Sequence, residues 1–448
     1  MIHEALDKVI RGEDLSRLET CAVMEEFYSG QVTPSQMAAL WTALSMKGMT
    51  TEERAAVDES KREHGPTTEA SRAGRAEGYE FGHPKFCAGL VMASMTVARG
   101  EDLSRKDAEA AMEDILSGNA DDVRIAVFLA ALRFKGETVD EVVGFAKAMR
   151  RHAVPIFPPG SQRPDDVIVD TCGTGGDGCG TFNVSTAAAF VVAGAGVRVA
   201  KHGNRSTSSR CGSADVLEAL GVKVELAPER VAQAIEQIGI GFLYAPAMHS
   251  ATRHATQARR ELRMRTVFNL LGPLTNPAGA SAQVVGVYDG ELTELVARAL
   301  GELGVSRAFV VHGADGLDEI SISGETSVAE LRDGAVRSFV VVPEDFGLRR
   351  APLEAIRGGD ARHNAGIIHK VLRHKVPGSA AAQYEHGPHR DIVLANSAAA
   401  LVAAGRATDF LDGVRLAQES IDSGAARAKL DALVAFSQSE AGHGQSAN

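Results

Sequence analysis

The run Asp170-Thr171-Cys172-Gly173-Thr174-Gly175-Gly176-Asp177-Gly178 constrains this chain more than any other stretch. Apolar, β-branched Val167-Ile168-Val169 leads into it, and an alanine-rich run from Ala187 to Ala195 follows. The order reads as a buried strand, a glycine-rich turn and a helix, as in a parallel α/β sheet. Glycines permit positive φ and let a ligand approach the backbone. A helix start adds unpaired N–H groups and the positive end of a dipole, so the turn suits a phosphate. Asp177 is out of place beside an anion unless a cation lies between them. A ligand-free turn is the plain alternative. The run is not G-x-G-x-x-G with an acidic residue about 20 positions on, and it lacks the Gly-Lys-Ser/Thr ending of a P-loop.

From residue 167 onward, strands expected at 167–171, 197–201, 284–287, 308–312 and 338–342 alternate with helical stretches at 214–220, 228–238 and 291–303. The alternation predicts an α/β domain with a mostly parallel sheet. Residues 391–436 read as helical and alanine-rich, and 437–448 as a polar, frayed tail.

The first 150 residues carry an internal repeat. Arg11-Gly12-Glu13-Asp14-Leu15-Ser16-Arg17 returns as Arg99-Gly100-Glu101-Asp102-Leu103-Ser104-Arg105, an offset of 88. The offset holds without a gap from Met24-Glu25 and Met112-Glu113 to Lys47-Gly48 and Lys135-Gly136. Ser16-x-x-Glu19 and Thr50-x-x-Glu53 are capping boxes, matched by Ser104-x-x-Asp107 and Thr138-x-x-Glu141. Gly48 and Gly136 sit where helices stop. Each copy reads as three to four short helices. Two copies do not make a solenoid. Between them, residues 62–93 read as a linker containing Gly65-Pro66-Thr67-Thr68 and the turn Phe81-Gly82-His83-Pro84-Lys85-Phe86.

The 448 residues suffice for two or three domains. A net charge of −11 without a basic block gives nucleic-acid binding little support. No apolar run reaches about 18 residues, and Met1-Ile2-His3-Glu4 lacks the form of a signal peptide. Five scattered cysteines suit the cytoplasm. Cys172 and Cys179 flank the glycine loop, but no second ligand pair supports zinc, and they read as packed thiols.

Three further groups carry chemistry. Lys201-His202-Gly203-Asn204-Arg205 follows a strand, with Lys and Arg placed for phosphate oxygens; a solvated basic turn is the alternative. Ser206-Thr207-Ser208-Ser209 and Gly212-Ser213-Ala214-Asp215 add hydroxyls and amides, though Ser213 and Asp215 serve equally as N-caps. Asp318-Glu319 follows the strand ending at His312 and suits magnesium shared with a pyrophosphate, or else is an exposed acidic turn. The surplus of acids favours the first reading, because a diphosphate among few basic groups needs cations. Last, Arg259-Arg260-Glu261-Leu262-Arg263-Met264-Arg265 leads into Phe268-Asn269-Leu270-Leu271-Gly272-Pro273-Leu274-Thr275-Asn276-Pro277. One arginine beside that rigid, partly apolar wall would clamp the carboxylate of a flat aromatic substrate.

Taken together, Gly173–Asp177, Asn183-Val184-Ser185-Thr186, Lys201–Arg205, Gly212–Asp215, Gly272–Pro277 and Asp318-Glu319 resemble the anthranilate phosphoribosyltransferases in order and spacing, over residues 94–436. The resemblance implies the nucleoside phosphorylase/phosphoribosyltransferase type of fold: a small all-helical N-terminal domain and a large α/β domain with a mostly parallel sheet. Here the helical unit is duplicated. The implied domains are an extra helical copy 1–61, a linker 62–93, the family's helical domain 94–158, the catalytic domain 159–436 and a tail 437–448. The implied reaction moves the phosphoribosyl group of phosphoribosyl diphosphate to the amine of anthranilate in tryptophan biosynthesis. By position, Gly173, Thr174, Gly175, Gly176, Asp177, Asn183, Ser185, Thr186, Lys201 and Ser213 would hold phosphoribosyl diphosphate. Ser185, Asp318 and Glu319 would place two magnesium ions. Gly173, Asn204, His249, Arg259 and Pro273 would line the anthranilate path, with Arg259 facing the carboxylate. No catalytic base is assigned, because the amine is already nucleophilic.

The chain departs from the family's pattern in three places. His249-Ser250-Ala251-Thr252-Arg253-His254 stands where His-Pro-Ala-Met-Lys-His is usual, and Arg263 stands where a glycine follows Glu-Leu. Another aromatic acid is therefore the alternative acceptor. The added helical copy is the third departure; residues 1–61 are expected to pack on 94–150 or to cover the face of the homodimer that the resemblance implies. A pyrimidine nucleoside phosphorylase would need a Lys-His-Ser-Thr-Gly-Gly loop, which is absent. A non-catalytic relative binding nucleic acid or a partner is opposed by the acidic balance and by Asp318-Glu319.

Overall fold

Reciprocal caps shape the first third of the chain. The computed structural model describes residues 1–64, 87–158, 166–206, 210–373 and 387–439, and in it the repeat becomes two sets of four helices. The first set is α1 (Ile2–Ile10), α2 (Arg17–Tyr28), α3 (Pro34–Lys47) and α4 (Thr51–His64). The second is α5 (Ala88–Ala98), α6 (Arg105–Leu116), α7 (Asp122–Lys135) and α8 (Val139–His152). Ser16 and Glu19 cap α2 reciprocally, and Ser104 caps α6 through the Asp107 N–H. Gly48 and Gly136 end α3 and α7 at φ of 85° and 86°.

The duplication extends to buried polar contacts. Glu53 accepts from the N–H of Leu15 (2.8 Å) and Thr50 (2.7 Å) and pairs with Lys47 at 3.1 Å. Glu141 accepts from Leu103 (2.9 Å) and Thr138 (2.8 Å) and pairs with Lys135 at 3.0 Å. α5 begins inside the stretch 62–93 expected to be a linker; residues 65–86, with their glycine–proline and Phe81–Phe86 segments, lie outside the described residues.

Met1–His152 and Ser250–Leu271 form one compact unit, and Ala153–His249 with Gly272–Asn448 a second. In the second, β-branched strands build a seven-stranded sheet in the order β3-β2-β1-β4-β5-β6-β7. The strands are β1 (Ile168–Gly173), β2 (Arg198–Gly203), β3 (Ile240–Tyr244), β4 (Ala282–Gly286), β5 (Arg307–Gly313), β6 (Thr326–Arg332) and β7 (Ala335–Val341). The first five in that order pair in parallel, and β6 and β7 are antiparallel additions. Two strands escape the sequence reading. β3 is five residues directly behind a helix, separated by Ile238-Gly239; β6 carries Glu330 and Arg332 among its apolar residues.

Two helices anchor the core. α9 (Val184–Gly194) buries nine of its eleven residues, Val184 and Thr186 to Ala193. The later helix Pro388–Ala403 is similarly apolar all round and packs against it. The described part of the expected tail, 437–439, continues the last helix as far as Gln438. Chain order reverses between β1 and β4. That is the topological switch point, where the crevice beyond the strands' carboxyl ends receives ligands in open α/β sheets.

Candidate active site

The glycine loop leaves β1 at this switch point. Gly175, Gly176, Gly178 and Gly180 all have φ between 66° and 76°, so the turn is closed to most side chains. Thr174 fastens its start: its N–H donates to Gly286 O at 2.9 Å, and its hydroxyl accepts the Tyr288 N–H at 3.1 Å. The far end is held by the Gly358 N–H, which donates to Gly180 O at 2.9 Å. Asp177 makes a local turn, accepting the Cys179 N–H at 3.3 Å.

Asp318 and Glu319 reach the loop from the turn after β5. Asp318 Oδ2 accepts the Gly175 N–H at 2.9 Å, and Glu319 Oε1 accepts the Ser185 N–H at 3.0 Å in the first turn of α9. The approach explains two glycines. A Cβ on Gly173 would stand 2.5 Å from Asp318 Oδ2, and one on Gly286 1.5 Å from Asp318 O. Neither acid makes an ion pair among the described residues. Burial raises both carboxyls above their ordinary range; Asp177 adds to this at Asp318 and Asp318 adds to it at Glu319, with Lys201 pulling Glu319 back. Adjacent oxygen donors short of positive charge fit a hard divalent cation. Among the described residues no group of three or more His, Cys, Asp or Glu could hold a metal alone. A magnesium ion is commonly held by one or two carboxylates together with substrate phosphates and water.

Lys201 is buried on β2, and its Nζ donates to Thr171 O at 2.5 Å and to Ser185 Oγ at 3.3 Å. Lys201, Ser185, Glu319 and the loop therefore meet at one place. Asn204 and Ser213 join each other: Ser213 Oγ accepts the Asn204 N–H at 3.1 Å and donates to Asn204 O at 3.2 Å. A Cβ on Gly203 would meet Ser213 Oγ at 2.1 Å.

Some expected phosphate groups are otherwise engaged. Arg205 forks onto Glu218 at 2.6 and 2.7 Å and lies over Tyr244, so the Lys-Arg pair expected around the Gly203 turn reduces to Lys201. The Thr186 hydroxyl, by contrast, is buried with no hydrogen-bond partner among the described residues. The Asn183 amide donates to Cys211 O at 3.1 Å and accepts from Asn364 Nδ2 at 3.0 Å. Residues 207–209 lie outside the described residues.

Of the residues expected along the acceptor path, Asn204, His249 and Pro273 belong to the second unit and Arg259 to the first. His249 packs its ring 5.1 Å from that of His202. Burial and the neighbouring His202 push its pKa down to about 3, so it stays neutral at working pH. Pro273 is buried, and its carbonyl accepts Gln283 Nε2 at 3.0 Å. Arg259 is half-buried with its guanidinium 5.0 Å over the Phe268 ring, and it has no acidic partner among the described residues. Burial lowers its pKa. A desolvated, uncompensated guanidinium on an aromatic face is suited to receive an anion.

Sequence reasoning left several structural residues without a role. Asp170 is fully buried; it accepts the His202 N–H at 3.1 Å and Asn276 Nδ2 at 2.7 Å, tying β1, β2 and the 276 turn together. Gly286 and Asn364 join it. The signal for Asp170 was a carboxylate inside a largely apolar strand.

The geometry has counterparts among known proteins. A family model described as "Glycosyl transferase family, a/b domain" matches residues 165–427, and "Glycosyl transferase family, helical bundle domain" matches 3–65 and 95–153. The anthranilate phosphoribosyltransferase of Symbiobacterium thermophilum is 56% identical over 340 residues, which are 76% of this chain and 95% of that protein. The crystal structure of the anthranilate phosphoribosyltransferase of Thermus thermophilus superposes with a TM-score of 0.71 at 44% identity, over 78% of this chain and 99% of the other. The Saccharomyces cerevisiae enzyme, solved in complex with PRPP and Mg, gives 0.69 at 30% identity, over 80% and 100%. It has also been solved with 4-fluoroanthranilate.

Proposed function

Because this chain belongs to the anthranilate phosphoribosyltransferase family, we infer that it transfers the phosphoribosyl group of phosphoribosyl diphosphate to the amine of anthranilate, releasing pyrophosphate. The observation that carries this reading is the meeting of the glycine loop, Lys201, Ser185 and the charge-short pair Asp318-Glu319 at the switch point of the sheet. The family relatives supply the chemistry to match it. The yeast enzyme was solved with phosphoribosyl diphosphate and magnesium and, separately, with an anthranilate analogue.

In this reading the backbone N–H groups of the loop and of α9's first turn receive phosphate oxygens. The residues assigned to the donor are Gly173, Thr174, Gly175, Gly176, Asp177, Asn183, Ser185, Thr186, Lys201 and Ser213. Ser185, Asp318 and Glu319 would hold two magnesium ions, which when bound would neutralise charge on the departing pyrophosphate. Arg259 would receive the acceptor's carboxylate, with Gly173, Asn204, His249 and Pro273 along its path. The amine nitrogen forms a bond to C1 of the ribose as the C1–O bond breaks, the electron pair leaves with pyrophosphate, and the amine proton passes to solvent. Positioning and electrostatic stabilisation suffice for such a step. No side chain is assigned as base, and the neutral, buried His249 fits a packing role.

Among the described residues no helix is long and apolar enough to cross a membrane. The five free thiols suit the reducing cytoplasm, where we place the reaction. The test is pyrophosphate release from phosphoribosyl diphosphate and magnesium with anthranilate, followed in parallel by loss of anthranilate fluorescence. Release only with another aromatic acid would keep the donor site and replace the acceptor. Absence of release with any acceptor would overturn the reading.

A further inference from the structure

We propose that the first bundle, residues 1–64, is a built-in partner: it covers, within one chain, the face of α7 that a second copy of the bundle would take, and it braces the helix that carries Arg259. The proposal rests on the reading of Arg259 as the acceptor's carboxylate receptor.

The packing of the two bundles pairs equivalent elements. α3 and α7 occupy the same place in the repeat, 88 residues apart, and their contact is the main one between the bundles. An element meeting its own counterpart is the mark of an isologous, twofold association, which ordinarily joins two chains. α7 has the composition for it. Ile125, Ala126, Phe128, Leu129, Ala130 and Leu132 are all buried, so the helix is apolar round more than the one face its own bundle needs. Here α3 takes the second face.

The helix α10 (Thr256–Leu262) packs against both α3 and α7. Seven residues are too few to hold a helix alone, and its last carbonyls have no partner within it. The first bundle supplies them. Gln36 Nε2 donates to Glu261 O at 3.0 Å, and His3 Nδ1 lies 3.3 Å from Leu262 O. Thr33 Oγ1 donates to Glu261 Oε2 at 2.8 Å. From the second bundle, α7 packs along the same short helix. Arg259 is thus carried on a turn gripped from both copies, and Thr33 and Gln36 are positioning residues.

Light scattering of the full chain should give the mass of one chain, 47.1 kDa, at every concentration, with constant specific activity. A mass of two chains overturns the proposal. Thr33→Asp keeps an N-cap for α3 but sets a carboxylate against Glu261, whereas Thr33→Ser keeps both roles. In Thr33→Asp, amide exchange over 256–262 should quicken. The anthranilate KM should rise about 5-fold, equivalent to about 1 kcal/mol, with the phosphoribosyl diphosphate KM unchanged. Thr33→Ser should restore both. Glu261→Ala, which leaves α3 and its cap intact, should quicken the same amides. Unchanged exchange in Thr33→Asp and Glu261→Ala overturns the brace. Arg259→Gln separates the two readings: if it leaves the anthranilate KM unchanged, the acceptor assignment fails, while mass and exchange still decide the built-in partner.

Discussion

Asp318 accepts the backbone N–H of Gly175 at 2.9 Å, so the acid that follows the fifth strand sets the loop that follows the first. The same carboxylate would stand 2.5 Å from a Cβ on Gly173. The glycine loop and the acidic pair are therefore one construction.

Gly173→Ala tests that construction. The added methyl must displace Asp318, at a cost of about 1–3 kcal/mol for an overpacked site. We expect a fall of about 10- to 100-fold in kcat/KM together with a weaker magnesium response. Wild-type kinetics in the variant would show that the approach of Asp318 is dispensable.

Asp318→Asn with Glu319→Gln should separate stability from activity. Both carboxyls are held above their ordinary range by desolvation first, with Asp177 adding to it at Asp318 and Asp318 adding to it at Glu319. Removing the charges should raise Tm without metal. Activity should fall at least about 100-fold, because several kcal/mol of charge stabilisation go with the cation. Magnesium with phosphoribosyl diphosphate should then no longer raise Tm. A lowered Tm without metal would contradict the charge argument.

Arg263 ends α10 in the left-handed region, φ 50° and ψ 28°. That conformation costs a side-chain-bearing residue about 1–2 kcal/mol, and it accounts for the glycine usual at this place in the family. Arg263→Gly should raise stability by about 1 kcal/mol, read as a higher denaturant midpoint. A lower midpoint would mean that the arginine side chain contributes more than its backbone costs.

Glu53 gives the first bundle an acid limb. Burial pushes its carboxyl up, but the N–H groups of Leu15 and Thr50 and the Lys47 ammonium outweigh burial and leave it below its usual 4.5. A lowered folded value means stability that is present above about pH 4.5 and lost as pH falls through the folded value. Glu53→Gln should cost about 3 kcal/mol near neutrality and flatten the acid limb. Trp41, the sole tryptophan, lies in α3 and reports it by fluorescence. An unchanged acid limb would sink the assignment.

Much of the arrangement is legible in local pattern. Capping boxes and stop glycines depend on neighbours a few residues apart, and with the repeat they indicate three to four helices in each copy, although the start of α5 lies in the stretch read as a linker. The strand–glycine–helix unit is equally local. β3 and β6 were hidden because one is short and follows a helix directly and the other carries Glu330 and Arg332 among its apolar residues. At the site, Arg205 shows the limit: only the fold brings Glu218 and Tyr244 to it.

Sequence alone thus determined most element types, the duplication and the candidate ligand groups, since backbone conformation and helix ends answer to adjacent residues. Tertiary structure decided which groups remain available. It buried the Thr186 hydroxyl, engaged Asn183 and Arg205, left Arg259 without an acid among the described residues and folded α3 onto α7. Those outcomes depend on contacts between residues tens to hundreds of positions apart, where burial and charge are set by the packed neighbour and not by the chain.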